Sequence, residues 1–259
     1  MDARLIALLL AFALFASPSG VAQQSLGGTV LPIMLNTSLY FSKAKPGDPV
    51  RGRLMQAIAT PSGENIPAGA KVFGKVLEVS PASANTPARM VVEFSQLVYD
   101  QRAISIRASL RAIASMQDVF AAQLPVGTFD EYGTTTADWT TVQVGGAAVY
   151  LGDATVRDGM QIIGKAPGYG IVLAELIPAP KRGCPAVPSE GQREQSLWVF
   201  SPWACGAYGF EGLTINRSAT TAPGAIELTA PKSIRIRAGS GWLLEVLQPP
   251  ATEVAPASK

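Results

Sequence analysis

Through much of the chain, apolar side chains recur at every second position, and Pro or Gly interrupts at intervals too short for three helical turns. A period of two puts apolar groups on one face of an extended ribbon and polar groups on the other, so such a chain folds as half-buried strands. The segment Ala103 to Ile113 carries the pattern best. Ile104, Ile106, Ala108, Leu110 and Ala112 fall on one face, and Ser105, Arg107, Ser109 and Arg111 on the other. Arg89 to Phe94 places Met90, Val92 and Phe94 inward, and Lys232 to Arg237 places Ile234 and Ile236 inward with Arg235 and Arg237 outward. The arginine rows are expected to be solvated strand faces. A formal charge of +2 gives no sign of nucleic acid or a membrane surface as a partner.

Turn signals punctuate these strands: Lys45-Pro46-Gly47-Asp48, Pro61-Ser62-Gly63, Ile66-Pro67-Ala68-Gly69, Ser80-Pro81, Asp158-Gly159, Pro167-Gly168 and Pro223-Gly224. Pro67 fixes φ entering a turn, Gly69 permits φ > 0, and Gly74 inside a strand marks a bulge or tight corner. Many short strands with frequent turns predict an all-β protein, a β-barrel or sandwich. One short helix is expected over Ser115 to Leu124, where Met116, Phe120 and Leu124 recur at helical spacing and Pro125 stops the run. From about Phe129 to Thr221 the chain becomes richer in Gly, Thr, Trp and Tyr, which reads as a second, inserted β-rich unit. Within it Pro178 to Gln195 reads as a long polar loop. The tail 248–259 has too few core formers to order.

The amino terminus sets the expected compartment. Arg4 precedes an apolar run from Leu5 to Ala16, followed by small residues up to Gly20-Val21-Ala22. The run falls short of the roughly 20 residues that span a bilayer, and 1–22 reads as a signal peptide cut before Gln23. The chain is therefore expected to be exported, to the periplasm or medium of a bacterium, with no transmembrane segment once processed. In an oxidising compartment, Cys184 and Cys205 are expected to pair as a disulfide that closes the inserted unit. A loop of about 20 residues gains roughly 3 kcal/mol by chain entropy, and two buried free thiols are the alternative.

A longer pattern runs from Leu31 to Ile113. A strand at Leu35 to Leu39 precedes Ser42-Lys43-Ala44-Lys45-Pro46-Gly47-Asp48-Pro49-Val50-Arg51-Gly52-Arg53, then Ile66-Pro67-Ala68-Gly69-Ala70-Lys71-Val72-Phe73-Gly74-Lys75-Val76, then Met90 to Val98. Ile234-Arg235-Ile236-Arg237-Ala238-Gly239-Ser240-Gly241-Trp242 to Val246 supplies a last strand of the same style. This order resembles the TrbI-like periplasmic β-barrel domain of type IV secretion core complexes, and more closely a set of small exported bacterial proteins of unassigned role. The resemblance implies a barrel of residues 30–115 plus 225–247, with 120–222 inserted, and by analogy a ring-type homo-oligomer. The secretion proteins also carry an anchor with a proline-rich stalk and an apolar helical hairpin, and no such segments are read in this sequence. The resemblance thus carries the barrel and not the channel.

Signs of catalysis are few. The sequence contains no histidine, which excludes Ser-His-Asp and Cys-His nucleophiles and histidine general bases; two cysteines alone do not complete a zinc shell. Gly239-Ser240-Gly241 lacks the G-x-S-x-G spacing, and Gly168-Tyr169-Gly170 lacks the third glycine of a phosphate loop. No metal or cofactor is expected. The acidic residues Asp130, Glu131, Asp138, Asp153 and Asp158 are placed like turn carboxylates, although a pair of them would be the requirement for glycan hydrolysis. The stretch Trp198 to Phe210 is the richest in aromatics. Trp198, Trp203, Tyr208 and Phe210 pack as a small core beside the cysteine pair, or present a platform that stacks on sugar or grips a protein. Two readings result: a non-catalytic exported envelope protein that binds another envelope protein or a surface polymer, or a carboxylate-dependent glycan-active enzyme.

Overall fold

The structure, a computed structural model, describes residues 26–60, 63–123, 139–145, 148–152, 155–158, 161–165, 175–176, 197–201, 204–216 and 222–247. The segments 1–22 and 248–259, the loop 178–195 and Leu124 lie outside these residues. From the amino end run β1 (Val30–Leu35), β2 (Leu39–Tyr40), β3 (Pro49–Leu54), β4 (Ile58–Ala59), β5 (Asn65–Ile66), β6 (Lys71–Ser80), β7 (Ala88–Tyr99), β8 (Arg102–Ser105) and β9 (Ala108–Ala114). The helix α1 (Met116–Ala121) leads to β10 (Trp139–Val142), β11 (Ala148–Gly152), β12 (Thr155–Asp158), β13 (Gln161–Lys165) and β14 (Glu175–Leu176). The last group is β15 (Gly206–Tyr208), β16 (Thr214–Asn216), β17 (Ala225–Ala230), β18 (Arg235–Ile236) and β19 (Gly241–Val246).

Ten strands form one sheet in the order β15-β9-β19-β1-β3-β6-β7-β17-β16, with β8 on β7. Its end strands, β15 and β16, come within 8 Å at Cα, so the sheet curls into a nearly closed barrel. The expected all-β class is found. A separate antiparallel sheet holds β10 to β14 in sequence order, and β2–β18 and β4–β5 are short ribbons. Residues 206–216, which the sequence places in the insertion, are strands of the large sheet; the chain rejoins the barrel at Gly206 rather than after residue 222.

Local chemistry explains the sharp corners. In Lys45-Pro46-Gly47-Asp48 the Asp48 N–H donates to the Lys45 carbonyl at 3.0 Å, with Gly47 at φ +93°. In Pro67-Ala68-Gly69-Ala70 the Ala70 N–H reaches the Pro67 carbonyl at 3.3 Å, with Gly69 at φ +88°. Both need a third residue without Cβ, as the sequence indicated. The β6–β7 register shifts between Phe73 and Gly74. This is the expected bulge, and a Cβ on Gly74 would run into the backbone carbonyl of Glu93.

Inside and outside follow from one contact. Trp242 on β19 meets Phe94 on β7 edge-on, ring centroids 5.7 Å apart. These strands are not neighbours in the sheet, so the rings touch across the barrel interior. Residues opposite one another on adjacent strands share a face. Ile33 and Leu54 therefore point inward with Trp242, while Met34 and Arg53 point outward with Gly241. Met90, Val92 and Phe94 are buried as expected, and Ile236 is buried between exposed Arg235 and Arg237.

Two expectations need correction. Ala103 to Ile113 is not one strand: the chain leaves β8 at Ser105, joins β9 at Ala108, and changes partner from β7 to β19. The helix is also shorter, with Ser115 as its N-cap, the Ser115 hydroxyl oxygen accepting from the Asp118 N–H at 3.1 Å. Its Met116 and Phe120 face outward, Phe120 62% exposed, because Val119 and Ala122 take the contact with the barrel. Gly241 leaves room for Val119, whose Cγ2 lies 3.0 Å from where a Cβ would stand.

Gly74→Ala is expected to cost about 1–3 kcal/mol, because only backbone movement relieves the clash with Glu93. Urea unfolding measures it, and a loss below a few tenths of a kcal/mol would contradict the bulge geometry.

Candidate functional site

The outer face of β9 and β19 is covered, and that cover includes the aromatic segment singled out in the sequence. Leu197 to Ser201 forms a tight reversal, with the Leu197 N–H donating to the Phe200 carbonyl at 2.9 Å and the Phe200 N–H to the Leu197 carbonyl at 2.8 Å. Trp198 sits at its tip with φ +53°, and its N–H donates to Gln56 Oε1 at 2.6 Å. A bulky residue in this region is strained unless neighbours hold it, and here the Gln56 bond and an edge-on Phe200 ring at 6.3 Å do so. Trp198 and Phe200 both press on Gly241, with ring carbons 3.1 Å from its missing Cβ. Val144 ties the second sheet to this cover, its N–H donating to the Val199 carbonyl at 2.8 Å.

The predicted aromatic set is thereby divided. Trp198 is core, 6% exposed, and does not belong to a surface platform. Tyr208 is half-buried on β15, its hydroxyl 3.0 Å from both the N–H and the carbonyl of Cys205. Phe210 is half-buried against the core after the β15 turn. A straight strand through this segment would set Trp198, Phe200, Tyr208 and Phe210 on one face, but the chain reverses at 197–200. Trp203 and Cys184 lie outside the described residues.

Strand β15 enters parallel to β9, Gly206 to Tyr208 beside Ala112 to Ala114. This is the direction a chain must take after crossing the outer face. The Ser115 N–H donates to the Tyr208 carbonyl at 3.0 Å, and Gly209 at φ +70° packs on Ser115 and Asp118 so closely that a Cβ would overlap both side chains.

Arg111 corrects the sequence reading most clearly. The β9–β19 register passes from Leu110 opposite Leu244 to Ala112 opposite Leu243, so Arg111 is the extra residue of a bulge. Alternation slips by one, Ala112 turns to the outer face, and Ile113 takes the inner one beside Trp242. The expected solvated arginine is 1% exposed, with its Nε donating to the Ala204 carbonyl at 3.2 Å. The sequence carries no sign of this, because the covering segment arrives from some ninety residues away.

Beside Arg111 the barrel fails to close. A cleft of about 260 Å³ opens between β9 and the β16–β17 pair, lined by Ser109, Arg111, Ile215, Asn216, Pro223 and Glu245 among others. Its polar groups are partly engaged: the Asn216 amide donates to Glu227 Oε1 at 2.7 Å. Glu227 continues a charged ladder over the outer strands, accepting from Arg89 Nη2 at 2.7 Å, while Arg89 also bonds Glu78. The Arg89 and Asn216 bonds hold the Glu227 carboxyl below the ordinary glutamate range, and Glu227 and Glu78 raise Arg89 in turn.

The carboxylates considered for catalysis are not gathered here. Asp158 ends β12 opposite Gln161, and Asp130, Glu131, Asp138 and Asp153 lie outside the described residues. Several described carboxyls have structural partners: Glu64 pairs with Arg102 at 3.1 Å, Glu93 with Lys75 at 3.3 Å and Glu211 with Lys232 at 3.0 Å. Among the described residues no group of three His, Cys, Asp or Glu is placed to hold a metal ion. No family model, curated protein or solved structure matches the chain.

Two outcomes are expected. Arg111→Met leaves the buried Ala204 carbonyl short of a donor and is expected to cost about 1–3 kcal/mol. Hydrogen exchange should rise first in 197–204, and unchanged protection there would contradict the role of Arg111 in holding the cover. The second outcome concerns Glu227. Its lowered folded-state pKa means that its contribution to stability is complete above the unfolded glutamate value and is lost as pH falls through the lower folded one. Wild type should therefore lose more melting temperature than Glu227→Gln on acidification from about pH 6 to about pH 3. Parallel curves would show that the ladder contributes nothing.

Proposed function

We propose that this chain is an exported, non-catalytic protein of the bacterial envelope, a barrel-like scaffold that presents its second sheet to an envelope protein or surface polymer. The observation that carries the reading is topological: β10 to β14 are spliced into one connection of the large sheet, between β9 and β15, while the first and last strands among the described residues pair with each other. Such an arrangement lets one part hold shape while another varies.

Further support comes from how charge is used. Glu64, Glu78, Glu93, Glu211 and Glu227 are committed to ion pairs, and the Asp118 carboxylate accepts from the hydroxyl of the helix-capping Ser115, which favours structural over catalytic duty. The motifs behind the resemblance to the TrbI-like barrel fall on β3, on the β5–β6 turn, and on β6, β7, β18 and β19, where they serve as turn and packing signals. Residues 1–22 direct export, and Cys184 pairs with Cys205 after it. That disulfide tethers the polar loop 178–195 to the entrance of β15, where the Tyr208 hydroxyl already fixes the Cys205 backbone.

Mass spectrometry of the native protein tests the compartment and the disulfide together. The expected species begins at Gln23 in the periplasmic or secreted fraction and is two hydrogens lighter than its reduced form. An intact Met1, or two thiols that alkylate without reductant, overturns that part. For binding, capture on a glycan array or on purified envelope fractions should fall in Trp203→Ala. Equal capture removes the aromatic contact, and turnover of glycan lost in Asp153→Asn or Asp158→Asn overturns the non-catalytic reading.

A further inference from the structure

The near-neutral net charge hides a segregated surface. On the outer face of the barrel Arg53 of β3 lies directly opposite Lys71 of β6. Arg51, two residues along β3, lies opposite half-exposed Phe73, which is flanked on its own strand by Lys71 and Lys75. Met34 of β1 completes the row beside Arg53. Arg51, Arg53 and Lys71 are exposed and have no carboxylate partner among the described residues; Lys75 alone is paired, with Glu93 at the edge. The acidic groups Glu78 and Glu227 gather instead around Arg89, on the β6–β7–β17 part of the sheet.

Like charges directly opposite on adjacent strands destabilise a sheet. Lys75, on the same strand as Lys71 and two rows away, lies opposite Glu93 of β7, so β6 does place an opposite charge beside a lysine elsewhere along its length. An unpaired cationic row therefore works against the fold unless something anionic covers it. At the same end of the barrel, Arg235 stacks over the Tyr40 ring at 4.7 Å, with Lys43 on that ring at 5.8 Å. The Arg51 N–H donates to Thr37 Oγ1 at 3.0 Å, which ties this ribbon's approach to the cationic strand.

We propose that the outer face of β1–β3–β6 is a docking surface for an anionic phospholipid bilayer, with Arg51, Arg53 and Lys71 meeting phosphate headgroups and Phe73 and Met34 at the interface. A convex barrel wall offers no groove for a nucleic acid strand, and a single half-buried ring is no stacking platform for bases. Against a planar anionic surface it needs only a row of cations with apolar groups among them. The inference goes beyond the scaffold reading and does not rest on it, because no residue of the second sheet takes part.

The test is co-sedimentation of the chain lacking residues 1–22 with vesicles of phosphatidylcholine containing about 30% phosphatidylglycerol. Binding should exceed that to pure phosphatidylcholine and fall as salt rises from about 0.05 to about 0.5 M. Arg53→Gln with Lys71→Gln should lower the partition coefficient about 30-fold, whereas Arg107→Gln with Lys232→Gln, an equal loss of charge elsewhere, should leave it nearly unchanged. The neutralised pair should melt no lower than wild type, since a repulsion is removed. The charge-keeping pair Arg53→Lys with Lys71→Arg should bind normally, so a folding defect is told apart from a lost surface. Equal binding to neutral vesicles, an equal loss in the control pair, or tighter binding to a DNA duplex of equal phosphate content overturns the proposal.

Discussion

The ladder between β1 and β19 is the constraint on which the rest depends. Val30 to Met34 pair antiparallel with Gly241 to Glu245, joining the first and last strands of the described chain across about two hundred residues. Closing so long a loop is less unfavourable than its length implies, since each doubling adds only about 0.6 kcal/mol. The ladder turns Trp242 inward against Phe94 and Gly241 outward. Burying one tryptophan of about 200 Å² is worth roughly 5 kcal/mol, comparable with the stability of a whole domain. The bare Gly241 backbone then gives Val119, Trp198 and Phe200 a place to pack, so the cover over the outer face is seated by the same pairing.

That cover gives the barrel two layers of packing instead of one. Its interior holds Trp242, Phe94, Ile33 and Leu54, and its β9–β19 exterior holds Trp198, Phe200 and Val119. The second layer is what converts Arg111 from a surface residue into a buried donor for Ala204. The adjoining cleft opens where β9 faces β16 and β17 beyond the reach of the short β15, and the outer ladder of Glu78, Arg89, Glu227 and Asn216 braces the strands on the far side of that gap.

Legibility in the sequence depended on the range of the interaction. The turns at Gly47 and Gly69 and the bulge at Gly74 were readable because their cause lies within a few residues. The inward set Met90, Val92 and Phe94 was readable because a period of two survives any choice of partner strand. The helix at Met116–Ala121 was located correctly near its N-cap, but its buried face was misassigned. In six residues, Met116 and Phe120 compete with Val119 and Ala122 for the barrel, and the space at Gly241 favours Val119. Of the aromatic site, the sequence offered residue types without directions. Trp198 went to the core because the chain reverses at Leu197–Phe200, a turn with no Pro or Gly to announce it.

By itself the sequence determined the class of fold and the positions of its corners. Alternation and glycine at φ > 0 are properties of a few consecutive residues, and they leave a chain of this composition little choice but strands. Tertiary structure alone decided which faces meet water. It covered Arg111 and turned Phe120 outward, and it set Arg53 opposite Lys71 although eighteen residues separate them. The physical reason is that strand register and the path of a returning segment are set by pairing between distant parts of the chain, and a burial pattern read along one strand does not contain its neighbours.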